Sequence, residues 1–384
     1  MAPAAPSTDT PEVRSYNRIR RWLGIYEFLL SLLGLIVLLA TGWTRSLRDT
    51  AYFLAAQNYA VAVFYYVVIL ASLSKLLGIG IDYCSFRLEH RFRLSNQKFS
   101  SWLWDEAKSW LLTVVLGAIV VELLYFIIRA MPQYWWVIAW AAFLLLFVFF
   151  AQIAPVALFP LFYKFRPLER EDLKARLTRL GERAGARVRG VYEWKLSEKT
   201  KKANAALTGL GKTRRIILAD TLLDNYSDDE IEAVLAHELG HHVQNHILKS
   251  IGIEALITFV GFWTATQVIH LAVRQHWFIN DADFADLPLL MLVSTIVGFL
   301  LIPALNAWSR HNERQADLYA LQLIPCVTPF IDAMNKLAEQ NLAERTPSRW
   351  VKWFFHSHPP VSKRIAAAEA WRRRQASMKP ITER

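Results

Sequence analysis

The sequence is poor in cysteine, with only Cys84 and Cys326 among its 384 residues. Two cysteines exclude a disulfide framework and offer no cysteine pair for a metal site. The chain also lacks internal repeats and extended low-complexity tracts. A long leading segment precedes the first apolar run, and no small-x-small cleavage pattern precedes Trp43, so we expect no cleaved signal peptide.

Charged residues are scarce, at 20% of the chain, whereas 54% of residues are hydrophobic and the mean hydropathy is +0.21. This is too apolar for a soluble domain of this length. Six apolar runs each approach the roughly 20 residues that cross a bilayer. Any one of them could be a buried core helix, but six together favour a polytopic α-helical membrane protein. The predicted spans are Trp22–Trp43, Tyr59–Ile79, Trp110–Ile128, Tyr134–Ile153, Ile251–Val273 and Leu287–Leu305.

The net charge of +11 could suggest a nucleic-acid partner, but the positive residues are segregated along the chain. They cluster before the first span, between the second and third, in the central segment and at the C-terminus, as the positive-inside rule predicts. We therefore expect a lipid bilayer and no nucleic acid as partner. Both termini and the central segment are predicted to be cytosolic. The basic residues outside the central segment are Arg14, Arg18, Arg20, Arg21, Arg87, Arg91, Arg93, Lys98 and Arg372–Arg374, whereas Asp281, Asp283 and Asp286 precede the last span.

The most informative motif is His237-Glu238-Leu239-Gly240-His241. Residues four apart share one helix face, so both histidines can bind a single metal ion, and Glu238 can act as general base on the attacking water. Ser227 and Glu230 predict a capping box at the start of this helix. The alternative is an ordinary helix that carries two surface histidines.

A catalytic zinc site needs a third protein ligand and one open position. Glu313 is the best candidate, because two predicted spans separate it from His241 and return the chain to the same side of the membrane. His241 lies ~15 Å before the apolar run at Ile251, and Glu313 lies about 12 Å past Leu305, so the site is expected at the membrane surface. Asp317, four residues later, could orient a zinc-binding histidine. Alternatively, Glu313 is a solvated carboxylate on a helix face.

The segment between the fourth and fifth spans is predicted to be a small α+β unit. A helix is expected over Leu168–Ala186, and strands over Val188–Trp194, Ala205–Gly209 and Arg215–Ala219, the last two joined by a turn at residues 209–212. The motif helix is expected to run directly into the fifth span. The sixth span is expected to continue through Pro303 into a polar helix. The predicted divisions are a tail (1–21), four spans (22–162), a metalloprotease segment (163–250), two spans (251–305) and a C-terminal helical region (306–384).

Several motifs together resemble the integral-membrane CAAX prenyl protease type 1 family, whose members are gluzincin-type zinc endopeptidases. These motifs are His237-Glu238-x-x-His241, Asn312-Glu313-x-x-Ala316-Asp317, Asn204-Ala205 ahead of residues 214–223, and Ser357-His358-Pro359-Pro360 with Arg364. The likeness extends from about Leu77 to Ala368.

The resemblance implies roles for these residues. His237, His241 and Glu313 would bind zinc, and Glu238 would be the base. Asn204 and Ala205 would belong to an edge strand that pairs with substrate. His358 and Arg364 would approach the active site, although the prolines after His358 also suit a simple helix-entry turn. Eukaryotic members have seven spans. Here, Thr44–Gln57 between the first two runs is too short and polar to cross.

We therefore predict a mainly α membrane protein with about six spans and a small cytosol-facing α+β zinc metalloprotease domain. It is expected to hold one Zn²⁺ per chain and to hydrolyse peptide bonds of membrane-tethered substrates. Glu238, His358 and Arg364 are the candidate catalytic residues. One alternative is a broad quality-control protease for membrane proteins. Another is a zinc-stabilised scaffold or transporter without turnover.

Overall fold

A computed structural model describes residues 9–209 and 214–378. The chain is mainly helical, with one small sheet. The helices are α1 Pro11–Ala40, α2 Trp43–Leu54, α3 Tyr59–Arg91, α4 Phe99–Ala130, α5 Trp135–Ile153, α6 Glu171–Arg183, α7 Asp220–Asn225, α8 Asp228–Val243, α9 His246–Arg274, α10 Leu287–Leu323, α11 Thr328–Gln340, α12 Arg349–Phe355 and α13 Val361–Met378. The strands are β1 Phe165–Pro167, β2 Gly190–Trp194, β3 Ala205–Thr208 and β4 Arg215–Ala219.

Six helical segments in the described residues are long and apolar enough to cross a membrane, which confirms the predicted spans. The helices continue past the apolar runs. α1 begins at Pro11, because the Thr10 side chain caps it and a proline occupies its first turn. Residues 11–21, predicted as part of a tail, are therefore the first turns of α1. At 1.5 Å per residue its 30 residues span about 45 Å, more than the hydrocarbon core requires.

The bundle has two ends with different partners. At one end, the start of α1 meets the C-terminal half of the chain: Arg21 pairs with Glu344 at 2.6 Å. At the other end, the loop before α10 is held by Arg48, which pairs with Asp283 at 2.6 Å. We call these the catalytic end and the far end.

The segment Thr44–Gln57 does not cross the membrane. It forms the 12-residue α2, which is about 18 Å long and lies at the far end. The Thr44 hydroxyl donates to the carbonyl oxygen of Ala285 at 2.5 Å and lies 2.6 Å from the Tyr66 hydroxyl. These buried bonds attach α2 to α3 and to the loop before α10.

The sheet has the strand order β1-β2-β4-β3, with β2 parallel to β4 and the other pairs antiparallel. Strand β1 was not predicted, because its three residues carry no readable pattern. Strand β3 lies at one edge, and Ala205 pairs with Leu218 of β4. The turn predicted between β3 and β4 falls largely at 210–213, outside the described residues.

The apolar core of the catalytic end lies between the sheet and the surrounding helices. Leucines of α6 meet the inner face of β4, the buried side of α8 and residues of α10, α11 and α13. Because this core joins elements from both halves of the chain, it fixes α8 beside α10. Its buried members include Leu173, Leu177, Leu180, Ile216, Leu218, Ile231, Leu235, Leu239, Ala320, Phe330 and Ala368.

Helix α8 begins with the predicted capping box: the Glu230 amide donates to the Ser227 hydroxyl and Glu230 accepts from the Ser227 amide. The prediction that it runs directly into the fifth span is wrong. Asn245 adopts a left-handed conformation, with φ 55°, and separates α8 from α9. Asparagine tolerates this conformation better than most residues. By contrast, α10 is one 37-residue helix through Pro303, as predicted.

Candidate metal centre and active site

The close approach of α8 and α10 brings the motif histidines to Glu313. Gly240 makes this approach possible: a Cβ at its position would lie 2.8 Å from Cα and 2.9 Å from the carbonyl oxygen of Ala316. Real Cβ atoms do not come this close to a backbone, so a larger residue at 240 would separate the helices. Gly240 is therefore required at this position of the motif so that α8 and α10 can pack closely.

Candidate ligand atoms of His237, His241 and Glu313 all lie within 4.8 Å of one another, and we call this group the ligand triangle. Nε2 of His237 lies 3.3 Å from Nε2 of His241 and 3.3 Å from Oε2 of Glu313. Nε2 of His241 lies 3.3 Å from Oε1 of Glu313. Ligands at the usual zinc bond lengths of 2.0–2.1 Å stand about 3.3 Å apart in a tetrahedron, so the spacing of the two imidazoles, and of each imidazole from its nearer Glu313 oxygen, suits a zinc ion. His237 and Glu313 are buried, whereas His241 is partly exposed.

The carboxylate of Glu313 has spare bonding capacity. Its Oε2 atom is buried and accepts no well-formed hydrogen bond from the described residues. Nδ1 of His358 lies 2.8 Å from this oxygen, although the His358 side chain is 62% exposed. A buried carboxylate oxygen that faces imidazole nitrogens without hydrogen-bond geometry is costly, and a metal ion would satisfy it.

The other nitrogen of His237 faces an ion pair. Its Nδ1 lies 2.9 Å from Asp317, and Arg364 donates to both oxygens of Asp317 at 2.9 and 2.5 Å. Burial opposes the positive charge of His237, but the neighbouring carboxylates of Asp317 and Glu313 outweigh it and raise the pKa of His237 to about 9. Since a metal needs the neutral imidazole, metal binding at this site would release a proton.

The Arg364 side chain is mostly buried beside the Asp317 carboxylate. Burial lowers the pKa of Arg364, but the Asp317 carboxylate outweighs it and raises that pKa above its usual value. The guanidinium therefore stays charged and is held against Asp317. This contact places Arg364 next to the ligand His237, with one nitrogen 3.3 Å from its Nδ1.

His241 is oriented by two residues outside the motif. Its Nδ1 lies 3.0 Å from Nδ1 of His246, whose Nε2 lies 2.9 Å from the side-chain oxygen of Gln315. The break at Asn245 turns the chain so that His246 can approach His241. Gln315 lies only two residues after Glu313, but its spacing alone did not indicate this contact.

The remaining predicted residues line a cleft of about 710 Å³ beside the ligands. Glu238, His358 and Arg364 lie on its wall together with Asn204 and Ala205. Asn204 precedes β3, and its carbonyl oxygen accepts from the Ala219 amide at 3.0 Å. Within the described ranges, no strand pairs with the outer edge of β3. The cleft thus combines a ligand triangle, a nearby carboxylate and an open strand edge.

Two family models match this chain and together span most of it. Residues 167–372 match peptidase family M48. Residues 4–164 match the CAAX prenyl protease N-terminal region, described as five membrane helices. Over this second stretch the structure has four apolar helices and the short α2.

Relatives and one solved structure are similar over most of their lengths. The metalloprotease YhfN of Bacillus subtilis is 28% identical over 92% of this chain and 84% of its own. CAAX prenyl protease 1 of Saccharomyces cerevisiae is 30% identical over 78% and 70%, and the human homolog is 26% identical over 90% and 82%. The crystal structure of S. mikatae Ste24p has the same fold, with a TM-score of 0.86 over 96% of this chain and 92% of that one, at 24% identity.

Proposed function

The chain belongs to peptidase family M48, and we propose that it is a zinc endopeptidase that cleaves membrane-tethered peptides at the bilayer surface. Its family and its six apolar helices make it an integral multi-pass membrane metalloprotease. The triangle of His237, His241 and Glu313 carries the proposal. Two imidazole nitrogens and one carboxylate form a ligand set that suits a catalytic zinc ion with one open position. One zinc per chain follows from the single such group among the described residues.

The reaction uses this chain's residues in distinct roles. Zinc, when bound, polarises the scissile carbonyl and lowers the pKa of water at the open position. Glu238 accepts the proton of the attacking water and then passes it to the leaving amine. His358, which is exposed beside the ligands, donates to the developing oxyanion. Arg364 supports the same site through Asp317, which orients His237.

The substrate is proposed to bind as an additional strand. The free edge of β3 can form backbone hydrogen bonds with an extended peptide, which tolerates many side chains. Asn204 would hold one end of that peptide. Because relatives in this family carry the name CAAX prenyl protease, lipid-modified peptides are the substrate class we infer.

The catalytic end is proposed to face the cytosol, together with both termini. The basic residues in the first turns of α1, at the end of α3 and just before α4, and in α13 support this orientation. In the structure, the start of α1 pairs with the C-terminal half at Arg21 and Glu344. The metalloprotease segment, proposed as residues 163–250, lies at the same end.

Substrate anchoring and strand pairing can be tested together. A lipid-anchored peptide should be cleaved faster in bilayers than the same peptide without its anchor. Asn204→Ala should reduce turnover about two- to tenfold, the range expected for one neutral hydrogen bond, while zinc content is unchanged. Asn280→Ala, at the exposed far end, is the matched control. Equal rates for both peptides, with no effect of Asn204→Ala, would show that the substrate is soluble and binds elsewhere.

A further inference from the structure

A second cavity lies behind the metal centre, between α10, α12 and α13, and we call it the basic cavity. Its volume is about 390 Å³, which is within the usual range for small-ligand sites. It is separate from the cleft that contains the candidate catalytic residues, although both share part of their walls. The residues that line it and are used below are Arg310, Arg314, Asp317, Lys352, Lys363, Arg364 and Arg374.

Apolar side chains form about half of the lining of the basic cavity, and nearly all of its polar side chains are cationic. Six of its lining side chains are cationic, and its one carboxylate, Asp317, is already bonded to Arg364 and His237. Arg310 is buried and donates to the carbonyl oxygens of Lys352 and His356 at 2.9 and 2.6 Å. Apart from Arg364, none of the six forms an ion pair with a described carboxylate. The cavity therefore has the charge and the donors to bind an anion.

Lys352 shows the effect of this crowding. Partial burial, followed by the positive charges of Lys363, Arg310, Arg349 and Arg314, lowers its pKa. A neighbouring anion would reverse the charge contribution and stabilise the ammonium group. A group of cationic side chains that repel one another and lack ion-pair partners is expected in a site whose ligand is negatively charged.

The position of α12 places the cavity at the depth of lipid headgroups. Trp350 and Trp353 are 70% and 40% exposed, as expected for side chains at a membrane interface. Phe354 stacks on Phe299, which lies in the apolar part of α10, with ring centroids 6.1 Å apart. Helix α12 therefore lies along the edge of the hydrocarbon region, and Lys352 of the same helix lines the cavity beside it.

We propose that the basic cavity binds the phosphate group of an anionic phospholipid from the leaflet at the catalytic end. The shared chemistry is a phosphate, which a free ion could also supply, but the aromatic residues of α12 favour a lipid whose acyl chains remain in the bilayer. Clusters of basic residues beside a span are well suited to anionic headgroups. The assignment does not depend on peptide cleavage, because lipid binding can be measured directly.

Native mass spectrometry of the full-length protein can count bound lipid. The wild type is reconstituted in one sample with phosphatidylglycerol and in another with phosphatidylcholine alone. It should retain more bound phosphatidylglycerol than phosphatidylcholine. The double variant Lys352→Gln/Lys363→Gln should bind it about tenfold more weakly, since each removed cation contributes to headgroup attraction. Arg372→Gln/Arg373→Gln removes the same charge from exposed positions of α13 outside the cavity and should bind like the wild type.

Zinc content and peptide cleavage in phosphatidylcholine serve as controls for folding. If the double variant does not fold, the single variant Lys363→Gln is used in its place, because Lys363 is exposed. Equal weakening in both double variants would show nonspecific surface attraction and overturn the proposal. Equal retention of both lipids by the wild type would overturn it as well. A third result would also overturn the proposal. If inorganic phosphate, added to the protein in phosphatidylcholine vesicles, raised the thermal stability of the protein as much as phosphatidylglycerol does, the ligand would be a free ion.

Discussion

Glu313 is the residue that joins two distant parts of the chain into one site. It lies 72 residues after His241 in the sequence, yet its Oε1 is 3.3 Å from Nε2 of that histidine. Its carboxylate also supplies the only charged oxygen in the ligand triangle. A neutral imidazole pair alone would leave the metal with two protein ligands, fewer than catalytic zinc sites use.

Glu313→Ala should therefore lose zinc almost as readily as His237→Ala. Substitution of a residue that only orients a metal ligand lowers metal affinity about 10–100-fold. Removal of a direct ligand should therefore lower it further. Metal content of the purified variants, measured by elemental mass spectrometry, checks this. Asp332→Ala removes an exposed carboxylate of α11 and is the control. Full zinc occupancy in Glu313→Ala would mean that another residue is the third ligand.

The sequence predicted the residues whose chemistry is tied to local spacing or to membrane sidedness. His237, Glu238 and His241 lie within one helical turn, and Glu313 follows from an even number of spans. The contacts of His246 with His241 and of Gln315 with His246 could not be predicted, because they depend on the turn at Asn245 and on how α9 and α10 pack. Such long-range packing leaves no periodic trace in the sequence.

At the scale of elements, the site depends on how closely α8 approaches α10. Gly240→Ala should push the two helices apart, because the new Cβ would lie 2.8 Å from the Ala316 backbone. Overpacking of this kind costs about 1–3 kcal/mol of stability, and the ligand triangle should widen with it. We expect lower thermal stability and weaker zinc binding. Gly252→Ala, where a Cβ meets nothing within 4 Å, is the control and should leave both unchanged. Normal zinc affinity in Gly240→Ala would show that the helices can adjust.

Elements with strong local signals were predicted well. The capping box fixed the start of α8, and the apolar runs located the six spans. The predicted strands matched β4 fully and β2 and β3 within two residues. The three-residue β1 and the end of α8 were missed, because β1 is stabilised by its pairing with β2 and one asparagine is a weak stop signal.

At the scale of the whole molecule, the two ends of the bundle must face opposite sides of the membrane. Single cysteines at Lys201 and Arg373 should be labelled from the cytosolic side, and one at Asn280 from the other. All three positions are exposed. Cys84 and Cys326 are also exposed and must first be replaced. Labelling of positions 201 and 280 from the same side would remove the topological argument for Glu313.

Glu238→Gln tests the proposed mechanism most directly, with zinc content and peptide cleavage measured on the same reconstituted sample. The substitution keeps the shape of the side chain and leaves the three ligands in place, but removes the base. We predict one zinc per chain, as in the wild type, and cleavage reduced by about 10²–10⁴-fold, the usual contribution of a general base. A variant that keeps its zinc and cleaves at the wild-type rate would contradict the proposed mechanism.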